Sequence, residues 1–141
     1  MTEPSRTVVL DSGGLSGAVT HDPDLHALLT AAVRMGSRVV VPAVVLAETI
    51  TGRQTDAAVW HTVNRLVVED LSRDVAGEAG ALRERAESVR AKKKDLTVDA
   101  LVAAAARRHA PSLVVTTDPD DLRLLCDGAD VVVLHPRDVR V

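Results

Sequence analysis

The sequence predicts an α/β fold, a three-layer α/β/α sandwich around a central, mainly parallel sheet of about four to five strands. Three observations carry that expectation. Apolar runs rich in β-branched residues, Thr7-Val8-Val9-Leu10 and Leu113-Val114-Val115-Thr116 among them, lack the alternation of a half-wet strand and read as strands buried on both faces. Segments of helical periodicity separate these runs, which calls for right-handed crossovers between parallel neighbours. Phe and Tyr are absent, so Val, Leu and Ala must fill the core, a set suited to helices packed on a sheet.

The elements follow in order. The first strand covers residues 7–10, and Gly13-Gly14 allows a tight turn into a short helix. Asp22-Pro23 starts the next helix, an Asp cap followed by Pro at the first helical position. Leu25, Leu28, Leu29 and Ala32 lie at helical spacing within it, and it stops near Gly36. Residues 38–41 form the second strand; a helix then runs from Pro42 through Ile50 and closes at Gly52. Val59, Val63 and Leu66 mark one face of a helix over 55–66, with Trp60 expected in the core, and Val67-Val68 is a weak third strand. Ser72 caps a long helix reaching about Ala91, despite Gly77 and Gly80 near its start. Lys92-Lys93-Lys94 is a loop before a helix that carries Asp99 and ends near His109 and Pro111. Strand four spans 113–116, a short helix follows Asp118-Pro119-Asp120-Asp121 to Cys126, Gly128 ends it, and strand five is 131–134.

At 141 residues, with no repeat and no dividing linker, residues 1–141 are expected to form one domain. No apolar stretch approaches the roughly 20 residues that span a bilayer, and the N-terminus lacks a signal-peptide pattern. Cys126 is the only cysteine, so an internal disulfide is excluded and a reducing, cytoplasmic setting is expected. A net charge of −3 argues against a sequence-independent nucleic-acid coat. Basic residues nevertheless cluster at Arg83, Arg85, Arg90 and Lys92-Lys93-Lys94, the only lysines, and again at Arg107-Arg108. That run is either a solvated face or a phosphate-contacting loop.

Four carboxylates interrupt apolar sequence: Asp11 after the first strand, Glu48 inside Ala43-Val44-Val45-Leu46-Ala47, Asp99 before Ala100-Leu101-Val102-Ala103, and Asp118 after the fourth strand. In open α/β sheets the ligand crevice lies outside the carboxyl ends of the strands, where Asp11 and Asp118 fall. Each acid also has a structural reading. Asp11 and Asp118 can cap helices, Asp99 can favour a helix dipole, and Glu48 can sit on a wet helical face. Together they more readily explain a divalent, oxygen-seeking cation, Mg²⁺ or Mn²⁺, because converging buried carboxylates need a counter-charge. The five histidines show no zinc-ligand spacing, and no Walker-type or dinucleotide-binding glycine loop is present.

The ordered motifs VVLD ending at Asp11, Pro42 to Glu48, Asp99 to Ala106 and Thr116 to Leu122 resemble those of the PIN domain. In size the chain is most similar to the VapC-type toxins of bacterial toxin–antitoxin pairs, with the resemblance covering about residues 6–135. The resemblance implies an endoribonuclease dependent on Mg²⁺ or Mn²⁺, with Asp11, Glu48, Asp99 and Asp118 as the acidic cluster. It implies that Thr116 orients a carboxylate or water, that Asp121 is an accessory acid or a helix cap, and that RNA and an antitoxin protein are the partners. Lys92, Lys93 and Lys94 are candidate RNA contacts. A homodimer fits the resemblance, although the sequence names no interface. Leu122 stands where the family often has an aromatic, and Gly13-Gly14 suggests a looser first turn than usual. The competing readings are an inactive PIN-like partner-binding module and a PIN-like DNA nuclease. A receiver domain would need an early acidic pair and a late lysine, and a haloacid-type phosphatase would need Asp-x-Asp; the sequence has neither.

Overall fold

The computed structural model describes residues 6–90 and 95–138, so Lys92, Lys93 and Lys94 lie outside the described residues. The chain alternates strands and helices as β1 (Thr7–Leu10), α1 (Ser12–Val19), α2 (Pro23–Arg34), β2 (Val39–Pro42), α3 (Ala43–Thr49), α4 (Asp56–Val63) and β3 (Val67–Glu69). It continues as α5 (Arg73–Val89), α6 (Thr97–Arg108), β4 (Ser112–Val115), α7 (Pro119–Leu125), β5 (Val131–Leu134) and a 3₁₀ turn, Pro136–Asp138. The five strands form one sheet in the order β3-β2-β1-β4-β5. Every pairing is parallel, with Val9 opposite Val40 on one side of β1 and Leu10 opposite Val115 on the other.

This order sets the layers. From β1 the chain steps outward to β2 and β3, then returns across β1 to β4 and steps on to β5. Right-handed crossovers made in opposite directions fall on opposite faces of a sheet. Accordingly α1 packs on α2, α3 and α4, whereas α5, α6 and α7 pack on one another. The α/β/α sandwich is therefore as the sequence predicts.

Aliphatic residues fill the core. Val9, Leu10, Val40, Val41, Val114 and Val115 are fully buried in the three central strands. α6 offers them a smooth face of Ala100, Ala103, Ala104 and Ala106, all without exposure. Small side chains let that helix lie close to β1, β2 and β4.

Two expectations are corrected. Trp60 is not core: it is 46% exposed on α4, because Val59 and Val63 take the inward face of that short helix. Nor do Gly13 and Gly14 loosen the first turn. Both lie within α1, where a β-carbon on Gly14 would stand 2.5 Å from the Val115 carbonyl oxygen and one on Gly13 would collide with the Thr117 side chain. Glycine here lets the helix sit directly on the end of β4.

Candidate active site

The switch point of the sheet lies between β1 and β4, whose outgoing connections turn to opposite sides. Parallel strands splayed in this way leave a crevice at their carboxyl ends. Asp11 leaves β1 there. Its backbone is extended, and its side chain caps α1 by accepting the Gly14 N–H at 2.8 Å. The capping role and a place in the crevice thus coexist in one residue.

Asp11 is buried, and burial pushes its pKa above the ordinary 3.8. The Thr116 hydroxyl and the Gly14 and Gly13 amides oppose the shift, while the nearby Glu48 carboxylate adds to it. Thr116 is itself buried, directly after β4, and its Oγ1 accepts the Asp118 N–H at 3.0 Å. Thr116 thus stands at the end of β4 with its hydroxyl beside the Asp11 carboxyl that leaves β1. Among the described residues Asp11 has no cationic partner.

The other acids arrive from separate elements. Glu48 is exposed in the last turn of α3, which leaves the carboxyl end of β2. Asp118 is exposed at the N-cap position of α7, but its side chain does not cap that helix. Asp99 is half-buried in the first turn of α6. A parallel strand must be entered at its amino end, so α6 delivers the chain to β4 there and begins towards the carboxyl side. Its packing on α3 agrees with that course.

Asp121, expected as an accessory acid or a cap, lies in the first turn of α7 rather than at its N-cap position. Its buried carboxylate takes both oxygens to Arg90, with Nη2 at 2.9 Å and 3.0 Å, pinning the end of α5 to the first turn of α7. Asp56, at the start of α4, is buried. Its carboxylate accepts the Thr51 N–H and hydroxyl and the Gly52 N–H, and these bonds, opposing desolvation, hold its pKa below the usual value. Cys126 is buried in the core, and burial pushes its thiol up to about 11, so it carries no thiolate chemistry at neutral pH.

A cleft of about 620 Å³ opens beside the acids, between the start of α1, the Glu48 end of α3, Thr117 and the turn after β5. Sequence reasoning missed His135 and Arg137, which close that cleft from the C-terminal side. Neither has a local motif that could announce it. As they stand, no three Asp, Glu, His or Cys among the described residues are gathered closely enough to hold a metal ion. The donor set is nonetheless of the right chemistry: hard carboxylate oxygens around an acid that burial deprives of solvent counter-charge.

A family model described as the PIN domain matches residues 8–126. The chain belongs to the PIN domain family. Its fold is similar to a chain in the crystal structure of VapBC2 from Rickettsia felis bound to a promoter DNA fragment, with a TM-score of 0.68 and 16% identity over 92% of this chain and 98% of that one. It is equally similar, at a TM-score of 0.68, to a chain in the structure of FitAB bound to the IR36 DNA fragment, with 18% identity over 96% and 99% of the two chains. No curated protein matches the sequence at a significant level. The PIN assignment thus rests on the family model and the fold together. Among the described residues no helix is long and apolar enough to cross a membrane.

Proposed function

We propose that this PIN domain is a Mg²⁺- or Mn²⁺-dependent endoribonuclease, the toxin of a VapBC-type toxin–antitoxin pair acting in the cytoplasm. The observation that carries the reading is Asp11: a buried carboxylate at the switch point, beside a second carboxylate and, among the described residues, without a cationic partner. Its fixed geometry, from Gly14 and Thr116, suits a ligand rather than a mobile surface acid.

Asp11, Asp99, Asp118 and Glu48 would hold the cation, directly or through water. When bound, it supplies positive charge at the scissile phosphate and acidifies water. Glu48, exposed and lining the cleft, would accept the proton of the attacking water. Thr116 would favour the ionised form of Asp11 against the effect of burial. Lys92, Lys93 and Lys94 would contribute phosphate contacts. An antitoxin would block the site by presenting a guanidinium to the same carboxylates, replacing the cation's charge.

The separation of the acids in the absence of a cation favours one other reading, an inactive PIN module whose role is the partner complex. Cleavage of total RNA by antitoxin-free protein, titrated with Mg²⁺ and Mn²⁺, separates the two. Metal-dependent cutting is expected, with at least a hundredfold loss in Asp99→Asn. Cutting of DNA but not RNA would make the protein a DNA nuclease, and no cutting by folded, metal-loaded protein would leave the partner-binding module.

A further inference from the structure

The cleft beside the acids ends on the 3₁₀ turn after β5, and this rim differs in charge from the rest. Arg137 is the one arginine or lysine among the described residues lining the cleft. Asp22, Asp24 and Glu48 share the lining, yet the Arg137 guanidinium pairs with none of them and with no other described residue. Among the described residues, then, no ion pair competes with a ligand for the N–H donors of Arg137.

His135 adds a donor beside it. The backbone N–H of Arg137 donates to Nδ1 of His135 at 3.1 Å. That contact leaves Nε2 as the ring nitrogen His135 can present to a ligand in the cleft. The turn bearing both residues is not a loose end: Pro136 is buried, and the turn packs on α2.

We propose that Arg137 and His135, the latter through Nε2, bind a phosphate of the RNA strand adjacent to the one being cut, making this rim the substrate-positioning edge of the cleft. The inference rests on the ribonuclease reading above. Guanidinium and imidazole N–H donors together match the oxygens of a phosphodiester. The carboxylate lining opposes any small free anion. A strand held at its neighbouring phosphate by the acid-bound cation overcomes that opposition, because the second contact is then intramolecular. Arg137 and His135 are positioning residues, remote from bond breaking.

The test is steady-state cleavage of a labelled single-stranded RNA oligonucleotide in saturating Mn²⁺ by Arg137→Gln, Arg137→Lys, His135→Gln and His135→Ala. Arg34→Gln, an exposed arginine on α2, serves as the control. Arg137→Gln is expected to raise KM about tenfold with kcat within about twofold, and to reduce the slope of log KM against log salt by about 0.7. Arg137→Lys should recover part of the loss, and His135→Gln, which restores a donor, should raise KM less than His135→Ala. A parental KM and salt slope in Arg137→Gln would overturn the inference while leaving the nuclease intact, as would a fall in kcat alone. Failure of the parent protein to bind or cut RNA would remove the ribonuclease reading, and this inference with it, before any variant is compared.

Discussion

Asp11 shows how a single position contributes to folding with opposite signs. Its carboxylate caps α1, a contribution of about 1 kcal/mol, but its burial makes ionisation unfavourable. Because the folded-state pKa lies above the unfolded value of 3.8, the folded protein holds this proton more tightly than the unfolded chain does. The group therefore costs stability at pH values above both, and costs nothing below both. Asp11→Asn keeps an acceptor for the Gly14 N–H and removes the charge. In the absence of divalent cations it should melt at a higher temperature than the parent at pH 7, with the difference vanishing as the pH falls towards 3.8. Adding Mg²⁺ should then stabilise the parent and not the variant, as read by thermal denaturation.

The elements around the site are joined by contacts that pattern alone does not specify. Gly13 and Gly14 bring α1 against the end of β4, which places Asp11 and Thr116 within reach of each other. Gly36, at a φ of +80°, ends α2 with paired bonds from Gly36 N–H to Val33 O and Ser37 N–H to Ala32 O, and so directs the chain into β2. The Arg90–Asp121 pair couples α5 to α7 with both side chains about nine-tenths buried, at 10% and 9% exposure. Removing one partner strands a buried charge, so Arg90→Met should cost about 3–5 kcal/mol. The double variant Arg90→Met with Asp121→Leu should recover most of that loss in chemical denaturation, since no unpaired charge remains. Equal losses in single and double variants would mean that the pair acts through packing instead.

The whole molecule is weakly acidic, with a net charge of −3, and on the proposed reading RNA would approach a site built of carboxylates. Long-range attraction would then come from local basic groups and from any bound cation, not from the net charge. Arg107 and Arg108 end α6, where Arg108 pairs with Glu78 and Arg107 bonds the Asp127 carbonyl. These arginines are partly committed to holding the helices of that face together. Charge-neutralising substitution of Lys92, Lys93 and Lys94 to Gln should therefore weaken RNA binding by about tenfold or more at 50 mM salt, and less at higher salt. Metal affinity, read by isothermal titration, should be unchanged; unchanged RNA binding at low salt would remove the lysines from the substrate path.

The fold was legible in the sequence because a parallel sheet covered on both faces demands continuous apolar strands alternating with helices, and Val-rich runs supply that signal locally. Asp11, Thr116 and Asp118 were legible for a related reason: a polar residue ending a buried strand can only emerge at the carboxyl edge. Periodicity could not decide how side chains far apart in sequence meet. Trp60 sat among apolar neighbours yet faces solvent, because a helix as short as α4 buries only one stripe. Asp121 looked like a helix-start acid until α5 brought Arg90 to it, 31 residues away in sequence. No local pattern announces that residues 51–52 fold back over the Asp56 carboxylate. Arg137 and His135 lay beyond every motif and became part of the cleft only when the turn after β5 packed on α2. The sequence by itself determined the strands, the order of the layers and the acids at the sheet edge, all set by local hydrophobic pattern. Which charges are paired, which acid is buried without a cation, and which cation faces the cleft were decided by tertiary structure, because burial and ion pairing depend on distances that only the packed chain defines.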